Sequence, residues 1–95
     1  GSMTKQEIVT RIAQQTGMEK TIVMTVVEAF MENVKDAMIA GNEVFLRGFG
    51  SFIIKQRAEK VARNISKNTT IVIPAHSIPA FKPAKVFLSA VKEGK

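Results

Sequence analysis

Cysteine, tryptophan and tyrosine are absent from this 95-residue chain, and it holds one histidine, His76, and one aspartate, Asp36. Without thiols there is no disulfide and no thiolate metal site, which fits a reducing compartment. A single histidine with no cysteine and no convincing carboxylate pair offers no catalytic constellation, so neither an enzyme nor a cofactor or metal is expected. His76 is read as structural. No apolar run approaches the ~18 residues that a membrane span needs, and no signal peptide is visible, so no membrane association is expected. The aromatic residues are six phenylalanines. They read as internal, which leaves no stacking platform for unpaired RNA bases.

What is present is a chain with 45% hydrophobic residues, ordinary for a folded protein. At this length one small domain is expected, burying about 60–65% of its unfolded surface. Gly1-Ser2 ahead of Met3 is read as a tag-cleavage remnant, and residues 3–95 as a single domain. The net charge of +6 is unevenly placed. Up to Phe45 there are four basic and six acidic side chains; from Leu46 onward there are ten basic and two acidic. A basic half beside a mildly acidic one suggests a polyanion partner on one face, a general solubilising excess being the alternative.

The acidic half reads as helices. Thr4-Lys5-Gln6-Glu7 is a capping-box pattern, followed by Ile8, Ile12 and Ala13 on one helical face and a stop at Gly17. A second helix is expected from about Lys20 to Ala40. Its apolar stripe is wide, because the neighbours at 22/23, 26/27 and 30/31 are both apolar. A single short partner helix cannot cover so wide a stripe, so a dimer interface is inferred. The candidate interface set is Val26, Val27, Phe30, Met31 and Val34, with Phe45, Phe49 and Phe52 from the sheet. Residues 3–42 form the helical dimerisation part.

Residues 43–81 read as sheet. Glu43–Leu46 and a strand from Ser51 are joined at Gly48-Phe49-Gly50, a tight turn that buries the phenylalanine. With no third glycine and no following helix, this is not a nucleotide loop. The second strand then turns cationic. Neither of its faces can be buried without stranding charge. A return strand from Thr69 to His76 completes a two-stranded ribbon, an arm over about residues 55–75, with Asn64 and Asn68 in the tip. Residues 82–95 form a short helical end, with Pro83 in its first turn and Lys82 and Lys85 at its start.

A ribbon of this width fits a DNA groove. Arg57, Lys60, Arg63 and Lys67 are candidate phosphate or minor-groove contacts, and Ile65 is an apolar residue able to wedge between base pairs. The full candidate DNA-binding set is Lys5, Arg47, Lys55, Arg57, Lys60, Arg63, Asn64, Ile65, Lys67, Lys82 and Lys85.

Three motifs, GFGSF at 48–52, ARNI at 62–65 and IPAFKPAK at 78–85, together resemble the bacterial HU/integration host factor family in order and spacing. The resemblance spans essentially the whole chain after the first two residues. It implies an α+β fold. In that fold a helical base and a three-stranded antiparallel sheet per chain form an intertwined dimer, with each sheet extended into a β-ribbon arm and ending in a short C-terminal helix. It also implies a nucleoid protein of the bacterial cytoplasm, a homodimer or a heterodimer with a paralogue, that embraces double-stranded DNA through the minor groove. Arg63 and Asn64 match the family's tip motif. Ile65 stands where the family has its wedge proline, and Asn68 replaces a late tip glycine. Lys5, Lys82 and Lys85 match lysines that contact phosphates on the body. The expected function is architectural bending and compaction of duplex DNA with little sequence preference. The alternatives are a site-specific bender of the integration host factor kind, an RNA-binding protein, or a protein-docking module.

Overall fold

The computed structural model describes residues 1–94, so the last residue of the expected helical end, Lys95, lies outside the described residues. The chain divides into two compact units, Gly1–Asp36 and Ala37 onward.

The first unit holds α1 (Lys5–Thr16) and most of α2 (Lys20–Ile39). The capping box is formed: the Glu7 amide donates to Thr4 Oγ1 at 3.2 Å and the Thr4 amide to Glu7 Oε1 at 3.3 Å. The Gly17 amide closes the far end on the Ala13 carbonyl at 2.9 Å. Val9 is fully buried, with Ile12 and Ala13 half-buried, whereas Ile8 is 44% exposed. The inward stripe of α1 is thus 9/12/13 rather than the expected 8/12/13. Both have helical spacing, and packing chose between two adjacent branched residues that periodicity treats alike.

On α2 the wide apolar surface splits into two rows. Val23 is buried, and Val27, Val34, Ala37 and Met38 are half-buried. Ile22, Val26 and Phe30, four residues apart, stay exposed together with Met31. The helix ends in two bonds, Gly41 amide to Met38 carbonyl at 3.0 Å and Asn42 amide to Ala37 carbonyl at 2.9 Å, the pattern of a Schellman motif.

The second unit contains β1 (Val44–Leu46), β2 (Gly50–Arg57), β3 (Lys60–Asn64), β4 (Thr69–Ile73), β5 (His76–Pro83) and α3 (Lys85–Gly94). β2 is central in an antiparallel sheet of order β1-β2-β5, and β3 and β4 form a separate antiparallel ladder. The fold is α+β, as the sequence implies.

The turn from β1 to β2 is closed by the Phe49 amide on the Leu46 carbonyl at 2.9 Å, with Gly48 at φ 81° in the third position, as a type II turn requires. It does not bury the phenylalanine as expected: Phe49 packs on Phe81 and Phe87 but stays 45% exposed in one chain. Gly50 is needed for another reason. A Cβ there would lie 2.5 Å from Phe81 Cζ and 2.6 Å from the Lys82 carbonyl oxygen, closer than van der Waals contact allows. The Ala84 amide bonds to the Phe49 carbonyl at 2.9 Å and so ties the start of α3 to the same turn.

Two expected boundaries shift. Pro83 does not open the last helix: it is the final residue of β5, opposite Gly50, and Lys82 precedes it in the strand. β5 is an edge strand, where Pro79 and Pro83 cost no ladder donor. The ribbon is also not continuous. Pairing lapses at Ala58-Glu59 and Pro74-Ala75, and His76 begins β5 instead of ending the return strand. Pro74 has no amide to donate, so the ladder cannot run through it.

Candidate nucleic-acid interface

Strand alternation sorts the sheet into two chemically distinct faces. Directly paired residues share a face. One face carries Phe52 and Ile54 of β2, Phe81 and Pro83 of β5, and Val44 and Leu46 of β1. On this side the Phe52 and Phe81 rings lie 5.1 Å apart, and Phe49 is tilted against Phe81 at 5.0 Å and stacked on Phe87 of α3 at 5.5 Å.

The other face carries Ser51, Ile53, Lys55 and Arg57 of β2, opposite Lys82, Ala80, Ile78 and His76 of β5, with Phe45 of β1 across from Ser51. The apolar contacts are spent on one side, and the cations gather on the other. Arg47 from the β1–β2 turn and Lys85 from the start of α3 join Lys82 around an open groove at the β1 end of this face. These three cations are far apart in sequence, and the sheet brings them together. Sequence reasoning placed Lys82 and Lys85 on one helix start; they come from a strand and a helix respectively.

Beyond the ladder break, the arm exposes both its faces. Val61 (paired with Val72) and Arg63 (paired with Thr70) lie on one; Lys60, Ala62 and Asn64, with Ile73, Ile71 and Thr69, lie on the other. Alternation therefore puts Arg63 and Lys60 on opposite sides. Residues 65–68 form the tip, where Ile65 is 88% exposed. Asn64 Oδ1 accepts from Ser66 Oγ at 2.8 Å and from the Lys67 amide at 3.4 Å, so its carbonyl oxygen serves the turn. Arg63 Nη2 donates to Asn68 Oδ1 at 2.7 Å, and Asn68 adopts φ 51°.

Among the described residues the ion pairs are Lys5–Glu28, at 2.7 Å, and Lys35–Glu32. Lys5 is therefore the one candidate DNA contact already held by a carboxylate, which sequence reasoning did not anticipate. Lys35, late in α2, is held above the ordinary lysine range first by its hydrogen bond to Glu32 and then by that carboxylate's charge. The cations of the sheet face and arm have no acidic partner among these residues.

Three residues hold positions that the sequence did not foretell. Phe45 is 72% exposed and lies on the opposite side of the sheet from Phe52, with which sequence reasoning had grouped it. His76 stands directly across from Arg57 on the cationic face, its Nδ1 2.9 Å from the Pro74 carbonyl oxygen. Asn68 was valued for its backbone and also supplies the acceptor for Arg63. The signal for the first two was the period-2 pattern of β1 and β5, legible only once the β2–β5 register is known.

Comparison with known proteins gives the same picture. The family model described as bacterial DNA-binding protein matches residues 3–92. The DNA-binding protein HU of Geobacillus stearothermophilus is 36% identical over 90 residues, covering 95% of this chain and 100% of that protein. The HU of Thermotoga maritima is 33% identical over 90 residues, with the same coverage. Among solved structures, an HU–DNA cocrystal structure from Anabaena matches with a TM-score of 0.90 at 34% identity, covering 96% of this chain and 99% of that one. A family model that spans nearly the full length, with relatives above 30% identity along it, has one meaning: the chain belongs to the bacterial DNA-binding protein family.

Proposed function

We propose that two copies of this chain form an intertwined dimer whose paired sheets make a cationic saddle and whose arms enter the minor groove of double-stranded DNA, bending and compacting it with little sequence preference. The protein is architectural and not catalytic. The observation that carries the reading is the segregation of the β2–β5 sheet: aromatic on one side, with Lys55, Arg57 and Lys82 on the other, without an acidic partner among the described residues. A polyanion is the ligand that such a face can neutralise without burying lone charge.

The dimer is supported by how little one chain buries. Among the described residues Val9 and Val23 are the buried hydrophobic ones, while Val26, Phe30 and Met31 remain 59%, 46% and 40% exposed. The Anabaena relative was crystallised with DNA, which supports duplex DNA as the partner here. Minor-groove entry is supported by the narrow two-stranded arm with Arg63 near its end and Ile65 at its tip. Minor-groove patterns are degenerate, so such binding reads deformability more than sequence. A bacterial architectural protein of this kind works on the nucleoid in the cytoplasm.

The test is a gel-shift titration of linear, nicked and four-way DNA at two salt concentrations. Binding should weaken log-linearly with salt, by about 0.9 for each phosphate neutralised. A flat salt response would remove the DNA reading. Competition by one defined site at about a thousandfold over mixed sequence would replace the non-specific reading with a site-specific one.

A further inference from the structure

We propose that Phe45 is a stacking seat for one unpaired nucleobase of interrupted duplex DNA, with Arg47, Lys82 and Lys85 holding the phosphates on either side of it. The proposal rests on the DNA-binding reading above and adds a ligand subsite to it.

Phe45 takes no part in the ring cluster formed by Phe49, Phe52, Phe81 and Phe87. Its β1 neighbours Val44 and Leu46 turn to the apolar face, and alternation delivers Phe45 to the cationic one. There it is 72% exposed. It lines an open groove together with Arg47, Ser51, Ile53, Lys82 and Lys85. The Glu43 carboxylate also borders this groove, but it accepts the Ile54 amide at 3.1 Å.

A bare aromatic face bordered by three cations is complementary to a ligand that combines a flat π-surface with flanking negative charge. A nucleotide has both. In an intact duplex the faces of the bases are already stacked on one another, so only base edges, sugar and phosphate can meet Phe45. A base that has lost its partner at a gap can offer its face, and base–aromatic stacking is tolerant of sequence because every base has one. Phe45 should therefore contribute little to binding of continuous duplex and much to binding of duplex with unpaired positions.

The experiment compares the full-length wild type with Phe45→Ala, Phe45→Leu and Phe45→Trp on a continuous duplex and on the same duplex with a short gap carrying 2-aminopurine at an unpaired position. Phe45→Ala and Phe45→Leu should lose roughly 5- to 100-fold in affinity on the gapped duplex, and stay within about twofold on the continuous one. Phe45→Trp should retain gapped binding. Transfer of the 2-aminopurine from its neighbouring bases onto the ring should change its emission with the wild type, and no such change should occur with Phe45→Ala. Equal losses on the two duplexes, or no loss on the gapped one, would overturn the seat. So would dissociation of the Phe45→Ala dimer in sedimentation, which would make this ring part of the subunit interface. Failure of the wild type to bind the continuous duplex would instead strike the DNA-binding reading itself.

Discussion

Arg63 Nη2 donates to Asn68 Oδ1 at 2.7 Å across the arm-tip turn, and Asn68 holds φ 51°. One residue thus bends the tip and aims the cation that stands before it. Glycine would take the same backbone conformation without strain but would offer no acceptor. Asn68→Gly therefore isolates the anchor. Freeing Arg63 adds about 0.5–1.5 kcal/mol of ordering cost on binding, which corresponds to a roughly 2- to 10-fold loss of DNA affinity. Arg63→Ala should lose more, and should reduce bending as well. Fluorescence anisotropy with bend-sensitive energy transfer measures both; an unchanged Asn68→Gly would mean that the tip does not need its arginine aimed.

Ile65 tests the wedge. It is 88% exposed, with no core to join. If it unstacks a base step, Ile65→Ser should reduce bending of intact DNA while sparing affinity for nicked DNA, where the unstacking cost is already reduced. Equal losses on nicked and intact duplexes would assign Ile65 a role in tip structure instead.

Lys5 cannot bind a phosphate and Glu28 at full strength together. Their exposed pair contributes about 0.2–1 kcal/mol to folding. Glu28→Gln should cost no more than that in stability. It should also tighten DNA binding and steepen the salt slope, by up to about 0.9. An identical slope in the variant would place Lys5 outside the DNA contact.

Val26 distinguishes monomer from dimer. It is 59% exposed in one chain, so on a monomer Val26→Asp should be nearly neutral. In a subunit interface it would bury an unpaired carboxylate, at a cost of several kcal/mol. The expected result is loss of the dimer in sedimentation equilibrium and, with it, loss of DNA binding.

Gly50 tests the turn that joins strand, ring cluster and helix. Gly50→Ala forces a methyl group against Phe81 and against the Lys82 carbonyl. An overpacking cost of about 1–3 kcal/mol lowers the melting temperature by roughly 4–8 °C per kcal/mol. A melting temperature within about 2 °C of wild type would show that β2 and β5 separate there at little cost.

Much of this protein follows from local chemistry that one sequence displays. The Thr4–Glu7 cap, the stop at Gly17 and the turn at Gly48–Gly50 depend on residues within a few positions of each other, and the basic run from Lys55 to Lys67 is visible in composition, so these patterns are legible without a fold. The resemblance carried by GFGSF, ARNI and IPAFKPAK supplied the α+β fold class with its C-terminal helix. Other features required the tertiary structure. Whether Ile8 or Val9 turns inward depends on a packing partner, because helical periodicity tolerates a shift of one residue. Whether Phe45 or Phe52 meets the rings depends on a register in which a step of one residue reverses the face. Arg47 shares a groove with Lys82 and Lys85 because β5 pairs back on β2 across the whole intervening arm, a juxtaposition that no local signal encodes.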